Sequence, residues 1–329
     1  MDIWPRAADG QDMTPRRDIL ITVLRLAGLS ATAPLIGAAA PYVRLDSERD
    51  TLHGERRRLA AEVESLYEQQ GGVPAARLQI GILAAWANLA ACPKGEVAMH
   101  DLQARTAIIA GSNSITLSDP AGGRQWFELA HMHARLAGDR PLMSLAHSRS
   151  ANAAIYWRTD IRTARTDAEL AMRYATTAEQ RGMAAGQACR IHALAGDGEA
   201  AARSAEEAVA FASTPYAGRI DRWSAGAAHM TVSRALARLP HLGIAAEEHA
   251  AEALCVLPPP ADLWRAHCLL DMAEARVRRR DIDGALGAVD HMIRSCERLE
   301  PVLRARLGEL AAMVEQRTGR RCDEIRRHV

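Results

Sequence analysis

The sequence predicts an all-α protein built as a solenoid of stacked helical hairpins. Two observations point there. Aromatic residues make up only 4% of the chain, with two Phe, while alanine is abundant. Such a composition suits close helix–helix contacts and is poor for a β-sandwich. From residue 124 onward four stretches then repeat one plan, a small residue preceded by an acidic or polar turn. They are WRTDIRTARTDAEL around Ala164, LAGDGEAAARSAEEAV around Ala201, LPHLGIAAEEHAAEAL around Ala246 and RRRDIDGALGAVDHM around Ala285, spaced 37, 45 and 39 residues apart. Each interval holds two helices and a turn. One such unit cannot bury its apolar face alone, but stacked units form a continuous core.

Three regions follow in order. Residues 1–44 form an N-terminal tail and an amphipathic helix near 16–28. Arg16-Arg17 ahead of an apolar run, with Ala38 to Ala40 beyond, resembles a twin-arginine export signal. Arg25 sits inside that run, and the apolar stretches beside it are too short to span a bilayer. A helix packed on the body of the protein is the favoured reading, and export stays open. Residues 45–123 hold N-terminal helical hairpins and a loop. A helix over 46–70 carries Leu52, Leu59, Val63 and Leu66 and stops at Gly71-Gly72. The next opens at Pro74, buries Leu78, Ile82, Trp86 and Leu89, and ends at Pro93; a third runs from about Gly95 to Ala110. GSNSITLSDPAGG, residues 111–123, gathers turn-forming residues and is expected as a mobile or lid-like loop. Residues 124–329 are the repeat region, continuous with what precedes it.

Charge and cysteine content narrow the function classes. Lys+Arg number 41 against 40 Asp+Glu, a net charge of +1. Bulk nucleic-acid binding needs a field of excess positive charge, which this chain lacks. The six cysteines, Cys92, Cys189, Cys255, Cys268, Cys296 and Cys322, include no CxxC pair, so a zinc knuckle or thioredoxin-like motif is excluded. Free thiols in a reducing cytoplasm are the expectation.

The repeated units resemble the tetratricopeptide repeat, a helix–turn–helix of about 34 residues. Gly196-Asp197, Ala201 and Ala208 fit its pattern, with Cys189 at the small position of the first helix. Asp281-Ile282 with Ala285 and Ala273 fit in the last repeat, and Asp160-Ile161 with Ala164 in the first. The Ala246 unit departs, because Pro240 and His241 replace the Gly-Asp turn. The resemblance implies a degenerate, right-handed superhelical solenoid. More narrowly, RRDIL followed by such repeats, and LPPPADLWRAHCLLDMAEARVRRRDIDGAL at 257–286, resemble the sensor region of actinobacterial regulators of the Cro/repressor type. In those proteins a helix-turn-helix domain precedes the sensor. Thirteen residues precede Thr14, too few for that domain, so the resemblance implies no direct DNA binding here.

The catalytic search is negative. His131 and His133 point about 200° apart on a helix and cannot make an i, i+4 metal pair. Cys189 and His192 share a helix face, but Cys189 holds a core position, where a thiol is inert. Glu206-Glu207 and Glu247-Glu248 read as solvated outer faces matched to arginines. GDG at 196–198 is a helix–helix turn, and no phosphate-loop, GxGxxG or GxSxG pattern occurs. No catalytic residue, metal ligand or cofactor is assigned.

Solenoids bind along the concave face, lined by the first helix of each repeat. By the family register the groove comprises Arg149, Asn152, Tyr156 and Trp157 from the first repeat, then Met183 and Arg190. Thr231 and Arg234 come from the third, with Arg238 deeper, and His267 and Glu274 from the fourth. Trp223 and Trp264 are placed at its rim. Aromatics and arginines are the types enriched at binding hot spots, and a row of guanidiniums suits an anion. The expected activity is non-catalytic binding or regulation, with a peptide, a protein or a small anionic ligand as partner and no membrane; a homodimer stays open. The alternative is an enzyme or pathway accessory protein on a repurposed sensor scaffold.

Overall fold

The computed structural model describes residues 13–26, 33–44, 52–69, 73–91, 97–157, 160–212, 222–258, 262–296, 299–319 and 321–329, the side chains of residues 52 and 53 excepted. The Gly71-Gly72 and Pro93 helix stops, Gly95, Cys92, residues 46–51 and the tail before residue 13 lie outside the described residues. Within them every regular element is helical. The first group is α1 (Thr14–Leu26), α2 (Ala33–Ala39), α3 (Leu52–Gln69) and α4 (Ala75–Ala90). Then come α5 (Val97–Thr116), α6 (Pro120–Ala137), α7 (Arg140–Trp157), α8 (Ile161–Tyr174), α9 (Ala178–Leu194) and α10 (Gly198–Ala210). The chain continues with α11 (Ala225–Leu236), α12 (Gly243–Val256), α13 (Asp262–Arg278), α14 (Ile282–Ser295), α15 (Pro301–Thr318) and α16 (Asp323–Arg326). None of these helices is long and apolar enough to cross a membrane.

Helices pack in consecutive pairs, α5 with α6, α7 with α8, α9 with α10, α11 with α12 and α13 with α14. The odd-numbered helices from α5 to α15 also touch one another in succession, and α15 returns to touch α5. Six helices therefore surround one interior. Ahead of them α1, α2 and α3 pack around α4, and α4 on α5.

The turns between paired helices share one chemistry. Asp119, Asp160, Asp197 and Asp281 each accept a backbone N–H from the first turn of the following helix, from Gly122, Arg162, Ala200 and Gly284 at 3.0, 2.8, 2.9 and 2.9 Å. Each such cap contributes about 1 kcal/mol. Where the paired helices cross, Ala164, Ala201, Ala246 and Ala285 are buried; a methyl side chain lets two helix axes approach closely. The Ala246 unit, which lacks the Gly-Asp turn, enters α12 through a short 3-10 turn at Pro240–Leu242 with no side-chain cap.

Two sequence expectations are settled locally. α1 is packed on the body: Leu20 and Leu24 are buried, and Arg16 Nη1 donates to the carbonyls of Pro41 and Val43 at 3.1 and 2.8 Å. The loop expected over 111–123 is instead the end of α5 and the start of α6, parted by residues 117–119. Its turn-like residues are interior packing groups. A Cβ at Gly111 would come within 2.7 Å of the Phe127 ring. Asn113 donates to Ala75 O at 3.0 Å and Gln79 Oε1 at 2.9 Å, and Ser114 to Ala110 O at 3.0 Å. With Asn113 bonded to α4 and Ser114 to its own helix, the stretch is packed helix and no lid remains.

Candidate functional site

The six-helix interior holds a cavity of about 160 Å³, lined by Ile115, Ser118, Tyr156, Trp157, Arg190, Arg234, Arg238, Glu274, Val302, Ala305, Arg306 and Glu309. Every odd-numbered helix from α5 to α15, or the residues just after it, contributes to the wall. Tyr156 is the central piece: the guanidinium carbons of Arg190 and Arg234 stand 4.9 and 5.0 Å from its ring centroid. Cations over a ring face are attracted by its quadrupole, the more so when desolvated.

Carboxylates hold these guanidiniums in place. Asp271 is fully buried, and its Oδ1 accepts from Arg234 Nε at 3.2 Å and from Arg306 Nη2 at 2.5 Å. Glu274 accepts from Arg278 at 3.0 Å and lies 3.8 Å from Arg306. Arg190 is hydrogen-bonded to Asn152. Burial, helped by Arg238, pushes Arg190 down to about 9, and burial pushes Arg234 down to about 10 against the pull of Asp271. Both are ionised at neutral pH. Burial alone would raise Glu274, but Arg306, Arg238 and Arg278 together hold it below the ordinary carboxylate range. For Arg306 the carboxylates of Asp271 and Glu274 overcome burial and raise it. His267 is driven well below the ordinary imidazole value by burial and then by Arg234, Arg306 and Arg190. It is therefore neutral. Arg306 Nη1 donates to its Nδ1 at 3.0 Å, which leaves the ring proton on Nε2.

Some buried polar atoms have no hydrogen-bond partner: Arg234 Nη2 and Trp157 Nε1 on lining residues, and Asp271 Oδ2 behind the lining. Each costs about 1–3 kcal/mol unless met by water or a ligand. Asn152 and His267 stand behind the lining, bonded to Arg190 and Arg306.

The remaining expected groove residues lie elsewhere. Met183 is in the apolar core, Thr231 packs near Gly186 beside Trp223, and Arg149 is half-buried on α7 away from the cavity. Arg149 therefore does not join Arg190 and Arg234 in a row of three. Trp223, expected at the rim, is fully buried; its Nε1 donates to Ala208 O at 2.6 Å, and the indole fills the space left by Gly182 and Gly186. Trp264 is partly buried against the core.

Sequence reasoning missed Asp271, Glu309 and the whole of α15. A signal for Arg306 exists: Arg265-Ala266-His267 recurs 39 residues on as Arg304-Ala305-Arg306, which puts Arg306 in the inward register of His267. Cys189 is inert as expected, its thiol pushed up to about 12 by burial.

A second polar group sits between α6, α7 and α8. His147 Nδ1 lies 2.8 Å from Asp167 Oδ1, the His131 ring stacks on His147, and burial with His147 lowers His131 to about 4. His131 and His133 diverge as expected, His133 meeting His100 at 3.0 Å between ring nitrogens. No protein-family model matches the chain, and no curated protein or solved structure shows significant similarity to it.

Proposed function

We propose that the chain is a non-catalytic binding protein of tetratricopeptide-like, superhelical build, regulatory in role, whose ligand is a small anion held in the six-helix cavity. The observation that supports it is the convergence of Arg190, Arg234, Arg238 and Arg306 on one space, opposed by the three carboxylates Asp271, Glu274 and Glu309. One positive charge is left over in a desolvated site, where an anion is held more strongly than at a surface. The cavity size favours a compact ligand over a peptide: an engineered cavity of roughly 150 Å³ accepts benzene. A carboxylate would meet the spare guanidinium donor of Arg234 on the cavity wall.

The test is thermal denaturation of the protein against small carboxylates and phosphates, with neutral isosteres as controls, beside native mass spectrometry of material purified from its own host. A matching anion stabilises by about 2.7 kcal/mol at a hundredfold excess over its Kd, and Arg234→Gln abolishes the shift. If no anion shifts the transition and none is retained from the host, the reading fails.

A second reading, an enzyme or accessory protein on the same scaffold, draws on the enclosure of the site and on the neutral His267 among ionised arginines. Chemical conversion of the retained ligand on prolonged incubation, absent with His267→Gln, would select it.

A further inference from the structure

We propose that His131, His147 and Asp167 form a binding site for one divalent transition-metal ion of the zinc class, set between α6, α7 and α8 and separate from the cavity. One ligand atom from each residue lies within 4.8 Å of the other two. The His131 and His147 rings stack with centroids 4.1 Å apart and planes 29° apart, so their edges can face one point. His147 Nδ1 and Asp167 Oδ1 are already 2.8 Å apart.

A second observation points to a ligand. Nε2 of His131 is buried and has no hydrogen-bond partner, while the ring also bonds to the backbone of Ala146. Metal-binding histidines are built in this way, one ring nitrogen tied to a backbone or carboxylate oxygen and the other left for the ion. Asp167 is oriented likewise: Ser150 Oγ donates to Oδ2 at 2.6 Å, which fixes the carboxylate with Oδ1 toward His147. Tyr174 stacks on His147 with centroids 5.8 Å apart and planes 12° apart, so the imidazole is braced as well.

The donor set selects the ion. Two imidazole nitrogens and one carboxylate oxygen suit Zn²⁺ or Co²⁺, whereas Ca²⁺ and Mg²⁺ take oxygen ligands. With bonds of about 2.0–2.1 Å, the ligand atoms of a tetrahedral ion stand about 3.4 Å apart. Rotations moving the side chains by about 1 Å bring the three groups to that spacing. Water fills the fourth position.

The experiment uses full-length, tag-free protein, stripped with chelator and titrated with Co²⁺, then with Zn²⁺. Expected are one equivalent of Co²⁺ with the visible bands of a four-coordinate ion, and displacement by Zn²⁺. Asp167→Asn and His131→Ala each weaken Co²⁺ binding at least ~10-fold, and His229→Gln, whose Nδ1 lies 2.8 Å from His249 Nδ1 in a different histidine pair, leaves it unchanged. Should His131→Ala not fold, the near-isosteric Asp167→Asn decides together with the wild-type spectrum. No visible bands at one equivalent, unchanged affinity in Asp167→Asn, or loss of binding in His229→Gln would each overturn the site.

Discussion

The chain builds the same ionic triad twice, at two depths. In the interior Asp271 on α13 joins Arg234 on α11 and Arg306 on α15; on the outer wall Glu247 on α12 joins Arg276 on α13 and Arg279 just beyond it. Asp271 is 0% exposed and its arginines 7% and 13%, against 19% for Glu247 and 25% and 35% for its partners. Glu247 gives one oxygen to each arginine, whereas Asp271 gives Oδ1 to both and leaves Oδ2 with no partner. The comparison teaches that equal chemistry has unequal leverage. Water screens the outer triad, so its members gain little by meeting. Within the wall each charge depends on the others, because the alternative is an ion without solvent.

The largest expected effect is therefore at the inner carboxylate. Asp271→Asn keeps the shape and removes the charge, leaving Arg234 and Arg306 with less to offset their desolvation. A loss of about 3–5 kcal/mol is expected, read as a lower urea midpoint. A loss below 1 kcal/mol would mean that water reaches Asp271, and the contrast of depth would collapse.

Next comes the aromatic lining of the cavity. A Cβ at Gly123 would lie 2.0 Å from the Trp157 indole, so Gly123→Ala must push that ring toward the cavity or force α6 away from α7. The expected cost is about 1–3 kcal/mol, with a changed tryptophan emission at neutral pH. The equivalent change at Gly287, which has open space around its Cβ position, serves as the control and should be neutral or better.

Acid separates the interior ion cluster from the histidine pairs. Burial, and then the neighbouring histidine, lowers His133 and His249 to about 4 from an ordinary 6.5. A folded-state pKa below the unfolded one means that the unfolded chain takes up protons first. The stabilisation is full above pH 6.5 and is lost as pH falls toward 4. Glu274 is also lowered, from 4.5, so its contribution persists above that value and fades only below it. Between pH 7 and 5 the protein should lose stability through the histidines, at most about 2 kcal/mol for each, while Glu274 keeps its contribution. Urea midpoints at three pH values check this, and His133→Gln should flatten the dependence; a midpoint that holds steady down to pH 5 would contradict it.

What the sequence made legible follows from how local each signal is. Helices, turn caps and the crossing alanines need only neighbours within one hairpin, and Ala164, Ala201, Ala246 and Ala285 are all buried. The inward register placed Tyr156, Trp157, Arg190, Arg234 and Glu274 on one wall, because side-chain direction repeats along a helix. The return of α15 to α5 was not legible, since it depends on small rotations accumulated over several hairpins. Without it the site reads as an open positive groove; with it Arg306 and Glu309 enter and the wall is nearly balanced. The lid expected at 111–123 failed for a different reason. Gly111, Asn113 and Ser114 carry turn-forming side chains, and only the partner helix α4 and the Phe127 ring reveal that they are packing groups.

The smallest effect expected is at the outer triad, and it tests the comparison from its other side. Glu247→Gln removes the charge that Arg276 and Arg279 share but keeps a side chain of the same length. Arg276 retains its bond from Nη1 to Gly284 O at 2.9 Å, and both guanidiniums reach water, so neither becomes a stranded ion. The loss should be about 0.2–1 kcal/mol and should shrink further in high salt, because exposed pairs are screened over a Debye length of roughly 10 Å at 0.1 M ionic strength. The Asp271→Asn deficit should respond less to the same salt, since Asp271 is 0% exposed and its arginines only 7% and 13%. Measuring both variants at low and high ionic strength turns depth into a single observable, the salt dependence of the deficit. Equal salt sensitivity of the two would show that the inner triad is wet, and the cavity would then hold an anion no more tightly than the surface does.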